Sequence, residues 1–446
     1  MKKFIEENTQ NMIDELSQLV GINSEYSDDE KPFGSNNKKV LEKAIELMDK
    51  KGFKTQNVDY FACYGEIGEG DKTIGLVAHL DVVPVGEGWN SDPFKLVVKD
   101  GRMYGRGTSD DKGAAIASMY AMKYLKDTNY PLKKKVRLIL GCNEETGSAC
   151  IKHYVEKYGS VDMGFTPDGN FPGIYAEKGM VGGTFESKNS KIIDIKGGEA
   201  TNIVCKKVEC VVPLNSFNED KFKKFLDDNS VEYSISNDEN TKIVVRGVSA
   251  HASTPDLGVN AINYLYEALY NADFNDSLTD YFHEYIGLTL HGEKMGFEAL
   301  KDEETNTSFN LGVVSKENDV IKTTLDIRFP VKTTYDKCNE LLNKAINDNN
   351  KFVIRSEINP LYFDKELPMI KAMDKAYRDV TGDTQAKMQA IGGGTYAKSM
   401  DNIIAFGCEF QDDDNHIHDA NESLEIEKFK KQVEIYVEAI KNLNEV

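Results

Sequence analysis

The sequence predicts an α/β protein: a discontinuous domain with a mostly parallel sheet and helices on both faces, interrupted by an inserted α+β domain. Three observations carry this expectation. Near-continuous apolar runs such as Thr73–Ala78 and Val136–Gly141 read as strands of a buried sheet. Stretches with helical apolar periodicity separate them. After about Met180 the runs become paired and alternate with polar residues, and from about Leu367 the α/β pattern resumes. The expected segments are therefore 1–180 and 363–446 for the α/β domain and 181–362 for the insert.

In order, Phe4–Val20 is predicted helical because Ile5, Met12, Ile13, Leu16, Leu19 and Val20 form one apolar stripe, ended by Gly21. Asn36–Lys51 is a second helix, stopped by Gly52, and short strands are expected at Lys54–Asp59 and Ala62–Ile67. The core strand from Thr73 runs into His79-Leu80-Asp81. Residues two apart on a strand point to the same side, so the imidazole and the carboxylate can share one site. Gly105–Gly113 is a glycine-punctuated turn with two acids, followed by the Ala-rich helix Ala114–Leu125. The strand Val136–Gly141 ends in Cys142-Asn143-Glu144-Glu145, and Val161–Thr166, after a helix at Ser148–Tyr158, ends in Pro167-Asp168-Gly169. Three core strands thus deliver acids or a histidine at their carboxyl ends, where open α/β sheets place their chemistry.

In the insert, strands are expected near Cys205–Val212, Val231–Ser236, Thr241–Val248, Ser308–Val314, Val320–Phe329 and Phe352–Ile358. Helices are expected at Glu219–Asp228, Gly258–Ala272 and Tyr335–Asp348. Hairpins alternating with helices predict an antiparallel layer domain, and this one is longer than a single such layer. The last segment holds a helix through Val380, the turn Gly392-Gly393-Gly394, a strand Asn402–Phe406, His416-Ile417-His418-Asp419 and a closing helix Leu424–Leu443.

A formal net charge of −20 argues against a nucleic-acid or anionic-membrane partner. Glu6, Glu7, Asn8 and Gln10 follow Met1-Lys2-Lys3 too closely for the apolar core of a secretion signal, and no apolar run is long enough to span a bilayer. The 7 cysteines are scattered without a C-x-x-C pair, which points to reduced thiols and a cytoplasmic protein.

The strand-end residues, with two from elsewhere, are His79, Asp81, Asp110, Glu144, Glu145, Asp168 and His418. Mixed imidazole and carboxylate ligands suit zinc, manganese or cobalt. They exceed what one ion needs and match two ions sharing a carboxylate, about 3.5–4 Å apart. His416 competes with His418 and is read as a surface residue. His153, His283 and His291 are read as ordinary side chains without acidic partners, and Trp89 as packing beneath the Asp81 loop.

As a set, H-x-D, G-R-G-x-x-D-x-K-G, a strand ending in E-E, P-D-G and a late histidine resemble the two-metal peptidases and deacylases, the family of ArgE, DapE, aminoacylase and carboxypeptidase G. Gly105–Gly113, Thr166-Pro167-Asp168, Asp326-Ile327-Arg328, Gly392–Tyr396 and His418-x-Ala420-Asn421-Glu422 resemble its PepV-like bacterial dipeptidases most. The resemblance implies that Asp110 bridges two divalent ions, zinc or manganese. His79 and Asp168 would complete one site, and Glu145 with His418 the other. Glu144 would be the general base and Asp81 the group that orients His79. It also implies that the insert is a lid whose His251 reaches the oxyanion of the reaction and whose Arg328 takes a substrate carboxylate. Asn202 and the backbone at Gly393 would bind substrate beside them. An insert long enough for a doubled sheet would supply His251 in cis, so a monomer is expected, with a dimer as the other outcome. The implied function is hydrolysis of unblocked dipeptides, the alternative being an N-acyl amino acid deacylase with the same chemistry.

Overall fold

A computed structural model describes residues 1–446. The chain folds as two compact units. One comprises Met1–Ala176, Phe363–Gln389 and Gly394–Val446, and the other Glu177–Tyr362 with Ala390–Gly393.

The sheet of the first unit runs in the order Lys54–Val58, Ala62–Ile67, Lys135–Gly141, Thr73–His79, Met163–Thr166, Ile403–Ala405 and Ile174–Glu177. It is parallel across the strands beginning at Lys135, Thr73, Met163 and Ile403, and antiparallel at both edges. The first edge is antiparallel because Asp59, Tyr60 and Phe61 alone connect its two strands, too few for a crossover. Helices cover both faces. On one, Arg137 donates to Tyr154 Oη of the helix Ala149–Tyr158 at 2.7 Å. On the other, Phe165 meets Tyr436 of the helix Ile426–Glu445, ring centroids 5.4 Å apart.

The helix Lys112–Asp127 is buried on nearly all sides, as its Ala-rich sequence allows. Its first residue ties two elements together. Lys112 Nζ donates to the carbonyls of Leu19 and Ile22, each at 3.0 Å, and so satisfies the open end of the helix Lys2–Val20. Burial brings the Lys112 ammonium down to about 8.

The second unit is one antiparallel sheet in the order Glu232–Asn237, Asn240–Arg246, Lys207–Pro213, Asp194–Gly197, Ser308–Glu317, Val320–Phe329, Gly179–Lys188 and Asn350–Ile358. The helices Glu219–Asp228, Ala261–Asn271, Ser277–Tyr285 and Tyr335–Lys344 share its core with Phe185, Val245 and Leu325. Along Val320–Phe329 the alternation is plain: Ile321, Leu325, Ile327 and Phe329 enter that core, so Asp326 and Arg328 take the opposite face. The helix expected from Gly258 begins at Ala261, because the Asn260 side chain caps it by accepting from Ile262 N. The helix Ser277–Tyr285 and the strand Gly179–Lys188 are additions to the elements expected from sequence.

The boundaries differ from those expected. The division falls after Ala176, and Ala390–Gly393 joins the second unit. That short piece is held there by Lys178 N donating to Ile391 O and Arg328 Nη1 donating to Gly392 O, both at 2.9 Å. All seven cysteines are free and buried, and no helix is long and apolar enough to cross a membrane.

Candidate metal centre

His79 ends one central strand in register with Gly141 at the end of its neighbour, so the residues that follow each strand emerge side by side. Asp81 fixes both. Its carboxylate accepts from the main-chain N–H groups of Glu144 and Glu145, each at 3.1 Å. Its main-chain carbonyl lies 3.0 Å from His79 Nδ1, whereas its carboxylate is 3.5 Å from that nitrogen. The nearer contact orienting His79 is therefore the backbone carbonyl of Asp81, while the carboxylate faces the ring at 3.5 Å and also sets the Glu144–Glu145 turn. With Nδ1–H donating to a carbonyl, Nε2 is the nitrogen turned toward the cluster.

Asp110 stands between two histidines. His79 Nε2 is 2.9 Å from Oδ1 and His418 Nε2 is 2.9 Å from Oδ2, and the same His418 nitrogen lies 3.2 Å from Glu145. Burial opposes charge on the His79 ring, and partial loss of solvent does so on the half-exposed His418 ring, yet the carboxylates prevail. Asp110 and Asp81 hold His79 well above its ordinary range, and Asp110 with Glu145 lifts His418 to about 11. Burial also opposes charge on Asp110, but contacts to His418 and His79 hold its carboxyl well below the usual range. Burial, then the neighbouring Asp168, pushes the Glu144 carboxyl well above it, and burial raises Glu145 as well.

Two sets of donors come together here. The ligand atoms of His79, Glu144 and Asp168 all lie within 4.8 Å of one another, as do those of His79, Asp110 and Glu145. Crowded carboxylates beside imidazole nitrogens are the donor chemistry of a divalent cation, so these residues fit the metal that the sequence implies.

The residue that sequence reasoning missed is Glu422. It is 1% exposed and accepts at 2.8 Å from Arg106 Nη1, 3.0 Å from Gly107 N, 2.9 Å from Ser109 N and 3.1 Å from Asp110 N. One carboxylate thus holds the whole loop that presents Asp110. Arg106 in turn lies over Trp89, 5.2 Å from the ring, so Trp89 acts as a cation–π partner within this arrangement. The only sequence signal was the place of Glu422 in the His418-x-Ala420-Asn421-Glu422 run.

A model of peptidase family M20/M25/M40 matches residues 75–442, which span every residue of this centre. The chain belongs to that family. It is 32% identical over 464 aligned residues to "Putative dipeptidase SH1171" of Staphylococcus haemolyticus, covering 99% of each chain. Its fold is that of human carnosine dipeptidase 1, with a TM-score of 0.62, 15% identity, and 100% of this chain and 98% of that one covered. The Bacillus subtilis YXEP protein, described as a dinuclear metal binding peptidase of the M20 family, is similar at a TM-score of 0.52 and 12% identity, covering 100% and 99%. This M20-family chain is a metal-dependent hydrolase.

The remaining candidates of the M20-family chain belong to its second unit. Ile203 and His251 form a β-bridge, and Ala252 N donates to Asn202 O at 2.9 Å, so Asn202 and His251 lie on neighbouring segments. Asn310 Nδ2 braces the first of them through the carbonyls of Thr201 and Ile203. Arg328 is clasped by Asp326 at 2.6 and 2.9 Å, and its Nη1 also donates to Gly392 O. Gly393, by contrast with Gly392, has only Ile391 Cδ1 near a would-be Cβ, at 3.6 Å.

Among the other histidines, His416 is exposed, as expected. His153, His283 and His291 do have acidic neighbours, contrary to expectation: Asp59 at 2.8 Å, Glu267 at 2.9 Å and Asp256 at 3.4 Å. Each partner comes from another element of the chain, 16 residues away for His283 and 94 for His153, so no local pattern marks it.

Proposed function

We propose that the protein is a dipeptidase that hydrolyses the amide bond of unblocked dipeptides with the help of two divalent cations, zinc or manganese. The observation that carries this reading is Asp110, each of whose oxygens faces a different histidine, as a carboxylate shared by two ions would. The dipeptidase name of a relative aligned over 99% of both chains, and the dinuclear description of a protein of the same fold, support it. Asp110 would bridge, His79 and Asp168 would hold one ion, and Glu145 with His418 the other. When bound, the cations supply Lewis acidity to a water and to the scissile carbonyl.

The chain's own residues do the rest. Glu144 takes the water's proton and passes it to the leaving nitrogen. The Asp81 carboxylate keeps Glu144 in place by accepting from the Glu144 main-chain N–H. His251 donates to the oxyanion, Arg328 offers its outer N–H groups to the substrate carboxylate, and Asn202 and the Gly393 backbone border the same substrate. We place the enzyme in the cytoplasm as a monomer, the second unit supplying His251 in cis from the segment that bridges Ile203.

Metal-stripped protein restored with Mn²⁺ or Zn²⁺ is expected to cleave unblocked dipeptides faster than N-acetyl or N-succinyl amino acids at matched concentration. Faster cleavage of the acylated set would make the protein a deacylase, and no cleavage of either by the two-metal form would overturn the hydrolase assignment of the site. His251→Ala is expected to lower kcat by about 10²-fold with little change in KM, the usual cost of losing one oxyanion donor. An effect confined to KM would make His251 a binding residue instead.

A further inference from the structure

The oxyanion role just proposed for His251 makes a chemical demand: the ring nitrogen that meets the substrate must carry a proton. A neutral imidazole has one N–H, and which nitrogen bears it is set by the partner of the other. Two groups of one residue approach His251 Nδ1. Ser253 Oγ lies 2.7 Å away and the main-chain N–H of Ser253 lies 3.2 Å away. A main-chain N–H can only donate, so it favours the ring form whose Nδ1 presents a lone pair, but at 3.2 Å this longer contact holds only part of the preference by itself. The proton of the neutral ring is then on Nε2. The serine hydroxyl, rotating freely, turns its own proton onto the same nitrogen and, at 2.7 Å, is the shorter of the two donors.

Ser253 is itself held from behind. A Cβ on Gly392 would stand 2.5 Å from Ser253 Cβ and 3.2 Å from its Oγ, so only a glycine there lets the two segments approach this closely. The carbonyl of Gly392 in turn accepts from Arg328 Nη1 at 2.9 Å. On the other side, the Ile203–His251 bridge and the Ala252 N to Asn202 O bond fix the backbone that carries the ring.

We propose that Ser253 is a positioning residue that holds His251 as its Nε2–H tautomer, with Gly392 seating Ser253 for that purpose. This rests on the reading of His251 as the oxyanion donor. It adds that the donor is set before substrate arrives, so no proton has to move within the ring during turnover. It also gives the glycine turn a role inside its own unit, as the piece that links Arg328 to the His251 loop.

The test uses the full-length, metal-restored protein and its Ser253→Ala and Ser253→Thr variants. Two-bond ¹H–¹⁵N correlation of the histidine rings reads the tautomer, and kinetics on an unblocked dipeptide read kcat and KM separately. Wild type is expected to show protonated Nε2 and bare Nδ1 at His251. Ser253→Ala is expected to shift part of the population to Nδ1–H and lower kcat by about two- to tenfold, the worth of one hydrogen bond, with KM unchanged. Ser253→Thr, which keeps the hydroxyl, is expected to restore both readouts. A wild-type ring protonated on Nδ1 overturns the inference, as does a Ser253→Ala variant with unchanged tautomer and kcat while His251→Ala is impaired. If His251→Ala turns over normally, the oxyanion reading fails by itself, and the ring correlations still judge what Ser253 does to the tautomer.

Discussion

Replacing Glu144 by alanine is expected to lower kcat by at least about 10²-fold while the cations stay bound, the weight that a positioned general base usually carries. The expectation rests on where Glu144 stands. Its main chain is pinned by Asp81, its carboxylate shares a cluster with His79 and Asp168, and burial keeps that carboxyl prone to hold a proton. A base at neutral pH needs that tendency in moderation, and two nearby cations would supply the opposing pull. Turnover and elemental metal content should be measured on the same sample. Loss of metal in step with turnover would make Glu144 a ligand, and full activity would remove it from the mechanism.

Glu422→Gln is expected to be the most damaging single change to stability, about 3–5 kcal/mol by the usual cost of breaking a buried ion pair from one side. Arg106 and Glu422 are each 1% exposed in their side chains, so a neutral partner strands a buried guanidinium. The amide keeps one acceptor oxygen, but its NH2 turns a donor toward whichever pair the other oxygen served, Ser109 N and Asp110 N or Gly107 N and Arg106 Nη1, all of which need acceptors. Urea unfolding with and without added Mn²⁺ reads both consequences, a lower midpoint and a smaller stabilisation by metal. An unchanged midpoint would show that this pair does not secure the Asp110 loop.

The strand ends were legible in the sequence because two short-range signals coincide there: an apolar run that only a buried strand explains, and acids or histidine directly after it. His79, Asp81, Glu144, Glu145 and Asp168 all announce themselves this way. Glu422 does not, since its partner Asp110 lies 312 residues away and no local pattern encodes such a pairing. The atom used at Asp81 was equally hidden, because a spacing of two brings the residue near His79 without saying whether backbone or carboxylate makes the contact. The strand Gly179–Lys188 escaped notice for the opposite reason. Its glycines remove the side chains that normally signal a strand, and a Cβ on Gly182 or Gly183 would strike Ser356 Oγ at 2.5 Å or Val353 O at 2.4 Å.

The parallel pairing of Ile403–Ala405 with Met163–Thr166 carries a consequence for biosynthesis. The whole of Glu177–Tyr362 leaves the ribosome between those two strands, and every strand of its own sheet is complete before Ile403 is made. At about 5–20 residues per second the first unit therefore waits on the order of tens of seconds for its missing strand, and still longer for His418 and Glu422. During that interval the edge of Met163–Thr166 lacks its neighbour and the Asp110 loop lacks its clasp, while the insert can already be folded. Newly made chains would thus acquire metal only once the last segment has docked, and this interval is when the nascent protein is most exposed to mispairing and most in need of a chaperone.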